Sequence, residues 1–159
     1  PRVTAILERM KGDDELEGTL HLTTSALLAR THRLAEAEKE GRLALAPLER
    51  RFGPDDLRVA DALDALADLA VSRGRSGLAE LDRARSIKEA AYGAEHPEHG
   101  RALKRLGDAL AAEARLEEAR AALEQAMATL ERALGPQHPD VAAAASSLAA
   151  IDEAQGDVR

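Results

Sequence analysis

Cysteine and tryptophan are absent from this chain of 159 residues, and Phe52 and Tyr92 are its whole aromatic complement. Without cysteine there are no disulfides, no thiolate chemistry and no cysteine-ligated zinc. That absence fits a reducing compartment, and a cytoplasmic location is expected. Aromatics at 1% leave no platforms on which the bases of a single strand could stack. A basic stripe is missing too: 22 lysines and arginines face 29 acids, for a net charge of −7, and neither sign gathers into a block. Nucleic acid is therefore not an expected partner. Nor is a membrane, since no run approaches the roughly 18 apolar residues that span a bilayer and the N-terminus is not signal-like.

What the chain does have is alanine and leucine, which dominate its 45% of apolar residues. Small side chains let backbones approach closely, whereas strands favour β-branched and aromatic residues. The composition predicts closely packed helices, and the length predicts one domain over residues 1–159.

A glycine-bearing phrase recurs along the chain: "MKGDDEL" at Met10, "RFGPDDLRVA" at Arg51, "AYGAEHPEHG" at Ala91 and "ALGPQHPDVA" at Ala133. Gly12, Gly53, Gly93 and Gly135 are separated by 41, 40 and 42 residues. Fixed periods of this length mark stacked repeats. The last three phrases each close a helical pattern, where glycine can take a left-handed conformation without a Cβ penalty. Proline and carboxylates then open the next helix. The expected units run over approximately 12–52, 53–92 and 93–134, with a partial unit at 135–156.

Each unit holds two helical segments. The second is clearest at 33–53 and 115–135, which align without a gap. There Leu116, Ala119, Leu123, Met127 and Leu130 form one stripe that a neighbour must cover, while Glu118, Gln125 and Arg132 face away. In the first segments Leu66–Ala67, Leu106–Gly107 and Leu148–Ala149 each place a small residue after a leucine, as expected where two helices cross closely. The middle unit is two residues short around "SRGRSGLAELDRARS", at no unique place. Pro47, inside the second segment of the first unit, is expected to bend or locally interrupt its helix.

The phrase "LGPQHPDVAAAASSLAAIDEAQG" resembles the tetratricopeptide repeat of the long-period, kinesin-light-chain-like type, whose helices are joined by G-x-x-H-P-[DE]-V-A. "ARLEEARAALEQAMATLERALG" resembles that repeat's second helix, with Ala119, Leu123 and Ala126 at its small, large and small packing positions. The likeness runs from about residue 12 to 156, after the tail of an earlier helix, "VTAILERM", and suggests a fragment of a larger bacterial-type protein. It implies an all-α fold, an alpha-alpha superhelix or TPR-like solenoid of antiparallel helix pairs. It also implies a concave face, built by the first helices, that binds a peptide or partner protein. At matching positions that groove would be lined by Asp61, Asp64 and Asp68, by Arg101, Lys104 and Asp108, and by Ser146. Asparagines common in the family are replaced by Asp64, Ala65, Lys104, Arg105, Ser146 and Ser147. Charge selection, rather than amide clamping of a peptide backbone, is one expected mode, with a segment of alternating charge as the partner; the other is a solvated helix face whose charges only maintain solubility.

Catalysis and metal binding find little support. His96 and His99 with Glu95 or Glu98 suggest a metal site, but zinc needs three or four converging ligands. The Gly135 joint keeps His138 and puts Val141 where His99 stands, and "GPDDLRVA" has neither histidine. His21 and His32 read as helix-surface residues. The acidic pairs Asp13–Asp14 and Asp55–Asp56 suit helix starts. No strand precedes a phosphate-binding glycine pattern, and Ser146 and Ser147 lack a histidine base. The expectation is a non-catalytic protein-interaction module without cofactor or metal. A structural spacer or homo-oligomerisation element, self-associating through exposed terminal repeats, is the alternative.

Overall fold

A computed structural model describes residues 13–156 of the chain. Seven helices occupy that span: α1 (Asp14–Arg30), α2 (Leu34–Phe52), α3 (Leu57–Ser72), α4 (Leu78–Tyr92), α5 (Pro97–Ala112), α6 (Leu116–Leu134) and α7 (Pro139–Gln155). The Gly12 joint and the "VTAILERM" segment lie outside the described residues. The chain divides between Gly77 and Leu78 into two compact units. In unit 1, α2 packs against both α1 and α3; in unit 2, α5 packs against α4 and α6, and α7 lies against α6 and α5.

The recurring joints start helices by side-chain capping. Asp56 accepts the Arg58 N–H at 2.9 Å. His96 and His138 use Nδ1 in the same way, accepting the N–H groups of Glu98 and Asp140 at 3.1 Å each. Pro97 and Pro139 follow at the first helical position, where the missing N–H is no loss. His96 and His138 are thus helix caps, and the Tyr92 ring stacks on His96 at 4.6 Å between centroids. The preceding glycines depart from the left-handed helical conformation expected of them. Gly53 and Gly135 have φ of 96° and 85° but ψ of 156° and 157°. That extended mirror region is open essentially to glycine alone.

Within the helix pairs the connections are tight. Residues 31–33 and 113–115 form three-residue turns in which His32 and Ala114 take φ of 58° and 59°. The Arg33 and Arg115 N–H groups close back on the Leu28 and Leu110 carbonyls at 2.9 and 3.0 Å. His32 therefore belongs to a turn and not to a helix surface. The α3–α4 turn begins identically, with Gly74 at φ 67° and Arg75 N–H to the Ala70 carbonyl at 2.9 Å, then continues through Ser76 and Gly77. This places the two-residue shortening of the middle unit: its turn is longer than the others by Ser76 and Gly77, while α4 has 15 residues against 19 in α2 and α6.

Of the bend or local interruption expected at Pro47, the interruption does not occur: α2 runs on through it. The proline leaves the Leu43 carbonyl without its helical donor, the loss of a single hydrogen bond. Pro47 itself is buried, and its packing holds the helix together.

The cores repeat one device. A Cβ on Gly18 would lie 2.8 Å from Leu48 Cγ, and one on Gly100 the same distance from Leu130 Cγ. Each glycine lets a first helix settle onto the leucine of the second. The predicted α6 stripe is confirmed, with Ala119, Leu123 and Leu130 fully buried and Glu118, Gln125 and Arg132 exposed. The small residue after leucine marks a close approach at Gly107, against Leu123, and at Ala67, where the approaching backbone is Gly77. At the third such position Ala149 is exposed.

Candidate functional site

The first helices of unit 1, α1 and α3, flank a groove of about 800 Å³. Leu22, Ala26 and Ala29 line it from α1, and Ala62, Ala65 and Leu69 from α3. The ionisable residues of its lining are Asp61 and Asp68 on α3 and His32 in the α1–α2 turn. Ser25 and Gly41 lie at its base, where the buried Ser25 hydroxyl donates to the Ala37 carbonyl at 2.7 Å. The groove is an apolar trough with two carboxylates along one wall.

Of the seven residues expected to line a binding surface, Asp61 and Asp68 fall in this trough. Asp64 lies between them on α3, half-buried. The basic members, both in unit 2, are engaged elsewhere. Arg101 donates Nε–H to Asp140 at 2.7 Å and also bonds Glu98, and the Asp140 contact, followed by that of Glu98, raises its pKa. Lys104 donates to Asp108 at 2.7 Å, one turn along α5. Ser146 turns its hydroxyl back onto the Ala142 carbonyl at 2.9 Å.

Residues that pattern reasoning passed over carry much of the trough. Leu22, Ala26 and Ala29 belong to α1, whose apolar pattern is weak, and Gly41 sits in α2. Its signal was present in the gap-free alignment of 33–53 with 115–135, which sets Gly41 against Leu123.

Unit 1 also contains a buried charge. Glu38, 4% exposed, accepts from Arg42 at 3.2 Å and from Arg73 and Arg75. Burial alone would raise its carboxyl, but the hydrogen bonds of Arg73 and Arg42 and the charge of Arg75 hold it below the usual carboxylate range. The carboxylate ties the long α3–α4 turn down onto α2. In unit 2, His99 is fully buried and neither ring nitrogen has a hydrogen-bond partner. Burial lowers its pKa; the nearby charge of Glu89 opposes the shift and that of Arg85 adds to it. Among the described residues no three His, Cys, Asp or Glu side chains converge. No described helix is long and apolar enough to cross a membrane.

A tetratricopeptide repeat profile matches residues 76–132 and 106–159, together more than half of the chain. The chain belongs to the tetratricopeptide repeat family. Among solved structures, BtubC (BKLC) from P. vanneervenii superposes with a TM-score of 0.81 at 19% identity, over 91% of this chain and 59% of its own. A Podosopora anserina chain of nearly identical TPR-like repeats of kinesin-light-chain type gives 0.72 at 21% identity, over 93% of this chain and 67% of that one. At these identities the likeness is one of fold: all-α, TPR-like helix pairs. This chain spans about three fifths of the BtubC chain. No curated protein matches it. Tetratricopeptide repeats generally mediate protein–protein interaction, and proteins built from them are typically non-catalytic scaffolds.

Proposed function

We propose that this stretch of chain is a non-catalytic interaction module that binds a peptide or partner protein on its first-helix face, the concave side in the family it belongs to. One observation carries the reading: the apolar trough between α1 and α3, with Asp61 and Asp68 in its wall. The helices present it as a rigid surface, so docking costs less conformational entropy than folding a flexible one would. The Arg101–Asp140 and Lys104–Asp108 pairs argue against the alternating-charge recognition anticipated from sequence. The trough of unit 1, with its apolar lining, is the better candidate.

A photocrosslinking amino acid placed at Ala65, on the trough wall, and at Gln125, exposed on a second helix, tests the reading in lysate of the source cells. Saturable adducts from position 65 and none from 125 are expected. Adducts from both positions alike, or from 125 alone, would refute it.

Self-association retains one specific support. Leu16, Leu20 and Leu27, 50%, 38% and 61% exposed, line one stripe of α1 at helical spacing, on the face away from the trough. If that stripe pairs chains, Leu20→Glu with Leu27→Glu lowers the sedimentation mass at high concentration. An unchanged monomer across that range removes the reading.

A further inference from the structure

The trough exists in unit 1 because of an exchange at one helix crossing. In unit 2, Gly107 on α5 faces Leu123 on α6, with 2.6 Å between the glycine's would-be Cβ and Leu123 Cγ. The aligned positions in unit 1 are Ser25 and Gly41, so the leucine that fills the crossing in unit 2 has no counterpart. Leu66 leans partly into the space: a Cβ on Gly41 would lie 2.8 Å from Leu66 Cδ2 and 3.3 Å from Ser25 Oγ. The remainder stays open as the base of the trough. The walls differ in the same sense, because Leu22 and Ala26 stand where unit 2 has the Lys104–Asp108 ion pair.

We infer that the unit 1 trough takes a bulky apolar side chain of a peptide segment whose flanking residues are basic. This rests on the reading of the first-helix face as an interaction surface and specifies the chemistry of its ligand. The apolar lining and the missing leucine supply a place for a large aliphatic or aromatic side chain, whose burial drives binding. Asp61 lies exposed in the trough wall, so lysine or arginine on the flank beside it meets opposite charge and glutamate meets repulsion. Ser25 is spent on the Ala37 carbonyl and offers the ligand's tip little polar competition.

Fluorescence anisotropy with labelled nonapeptides of defined sequence tests this. All carry a central Leu-Phe pair, flanked by lysines, by serines or by glutamates; a further lysine-flanked peptide has Ala-Ala at its centre. The lysine-flanked Leu-Phe peptide is expected to bind about tenfold or more tighter than the glutamate-flanked one, with the gap narrowing in high salt. Replacing Leu-Phe by Ala-Ala weakens it by about tenfold or more. Ser25→Gly with Gly41→Leu reproduces the Gly107–Leu123 crossing of unit 2, with Leu66 in the place of Leu148, and abolishes binding. Ala65→Trp, at an exposed position that cannot disturb the core, blocks the same trough. Equal binding of lysine- and glutamate-flanked peptides, no dependence on the central pair, undiminished binding by both variants, or no saturable binding would each overturn the inference. Crosslinks from position 65 in lysate that persist beside such a result would leave the interaction surface standing while removing this ligand chemistry.

Discussion

Gly18 beneath Leu48 and Gly100 beneath Leu130 are one joint made twice, alike to a few tenths of an ångström, whereas other aligned positions of the two units have parted company. Glu38 in α2 aligns with Arg120 in α6. The glutamate gathers Arg42, Arg73 and Arg75, and the arginine pairs with Asp152 of α7. Both tie a second helix to the far end of the next first helix, with the charges reversed. Gly41 and Leu123 differ more deeply, since one opens a trough and the other closes it. Positions that set the approach of two backbones tolerate little, and positions that only link or fill are free to acquire function.

The largest effect expected from this contrast comes at a close approach found in unit 1. A Cβ on Gly77 would meet backbone and Cβ atoms of Ala67 at 2.9 to 3.0 Å, none of which can rotate away. Gly77→Ala should cost about 2–3 kcal/mol in urea unfolding. A loss below about 0.5 kcal/mol would show that the long turn is loosely held. Next comes the buried carboxylate: Glu38→Gln should cost about 2 kcal/mol, because the tie of the turn to α2 is lost. Arg120→Gln, breaking a partly exposed pair, should shift the unfolding midpoint far less than Glu38→Gln. Equal losses would erase the distinction between the two links.

His99 should separate the units by acid. The aligned positions carry Val59 and Val141, so the histidine occupies a valine slot with both nitrogens unsatisfied. Its folded pKa lies below its ordinary value, so the unfolded chain binds the proton more readily. The neutral-pH stability of unit 2 is therefore lost as pH falls from about 6.5 through the lower folded value. Glu38, also depressed, supports unit 1 above the ordinary carboxylate range and fails only at lower pH. His99→Val should add about 1 kcal/mol at neutral pH and flatten the loss between pH 7 and 5, read by circular dichroism melts. An unchanged pH profile would contradict this. The caps contribute modestly: His138→Ala in unit 2 and Asp56→Ala in unit 1 should each cost about 0.5–1 kcal/mol in urea unfolding, and no measurable loss in either would show that the joints are held by packing alone.

Much of this was legible beforehand. The glycine period gave the helix count and the joints, because caps and prolines act locally and leave their marks in neighbouring residues. The α6 stripe was readable for the same reason. At Pro47 the pattern resumes at once in Leu48 and Glu49, which favours a continuous helix over a break, and the helix does run on, with the proline buried. The acidic wall was half legible: Asp61 and Asp68 were picked by position, but pairing of Arg101 with Asp140, from the next first helix, depends on distances that no spacing along one helix reveals. The trough itself depends on what Gly41 lacks, and a missing side chain becomes visible only beside Leu123.

The most direct test is to map where a lysine-flanked peptide carrying a photoreactive leucine at its centre attaches to the intact chain. Adducts confined to α1 and α3, around Ala26, Ala29 and Ala65, are the predicted result. Adducts on α5 and α7, around Lys104 and Ser147, would show that the filled crossing binds as well as the open one and would contradict the account.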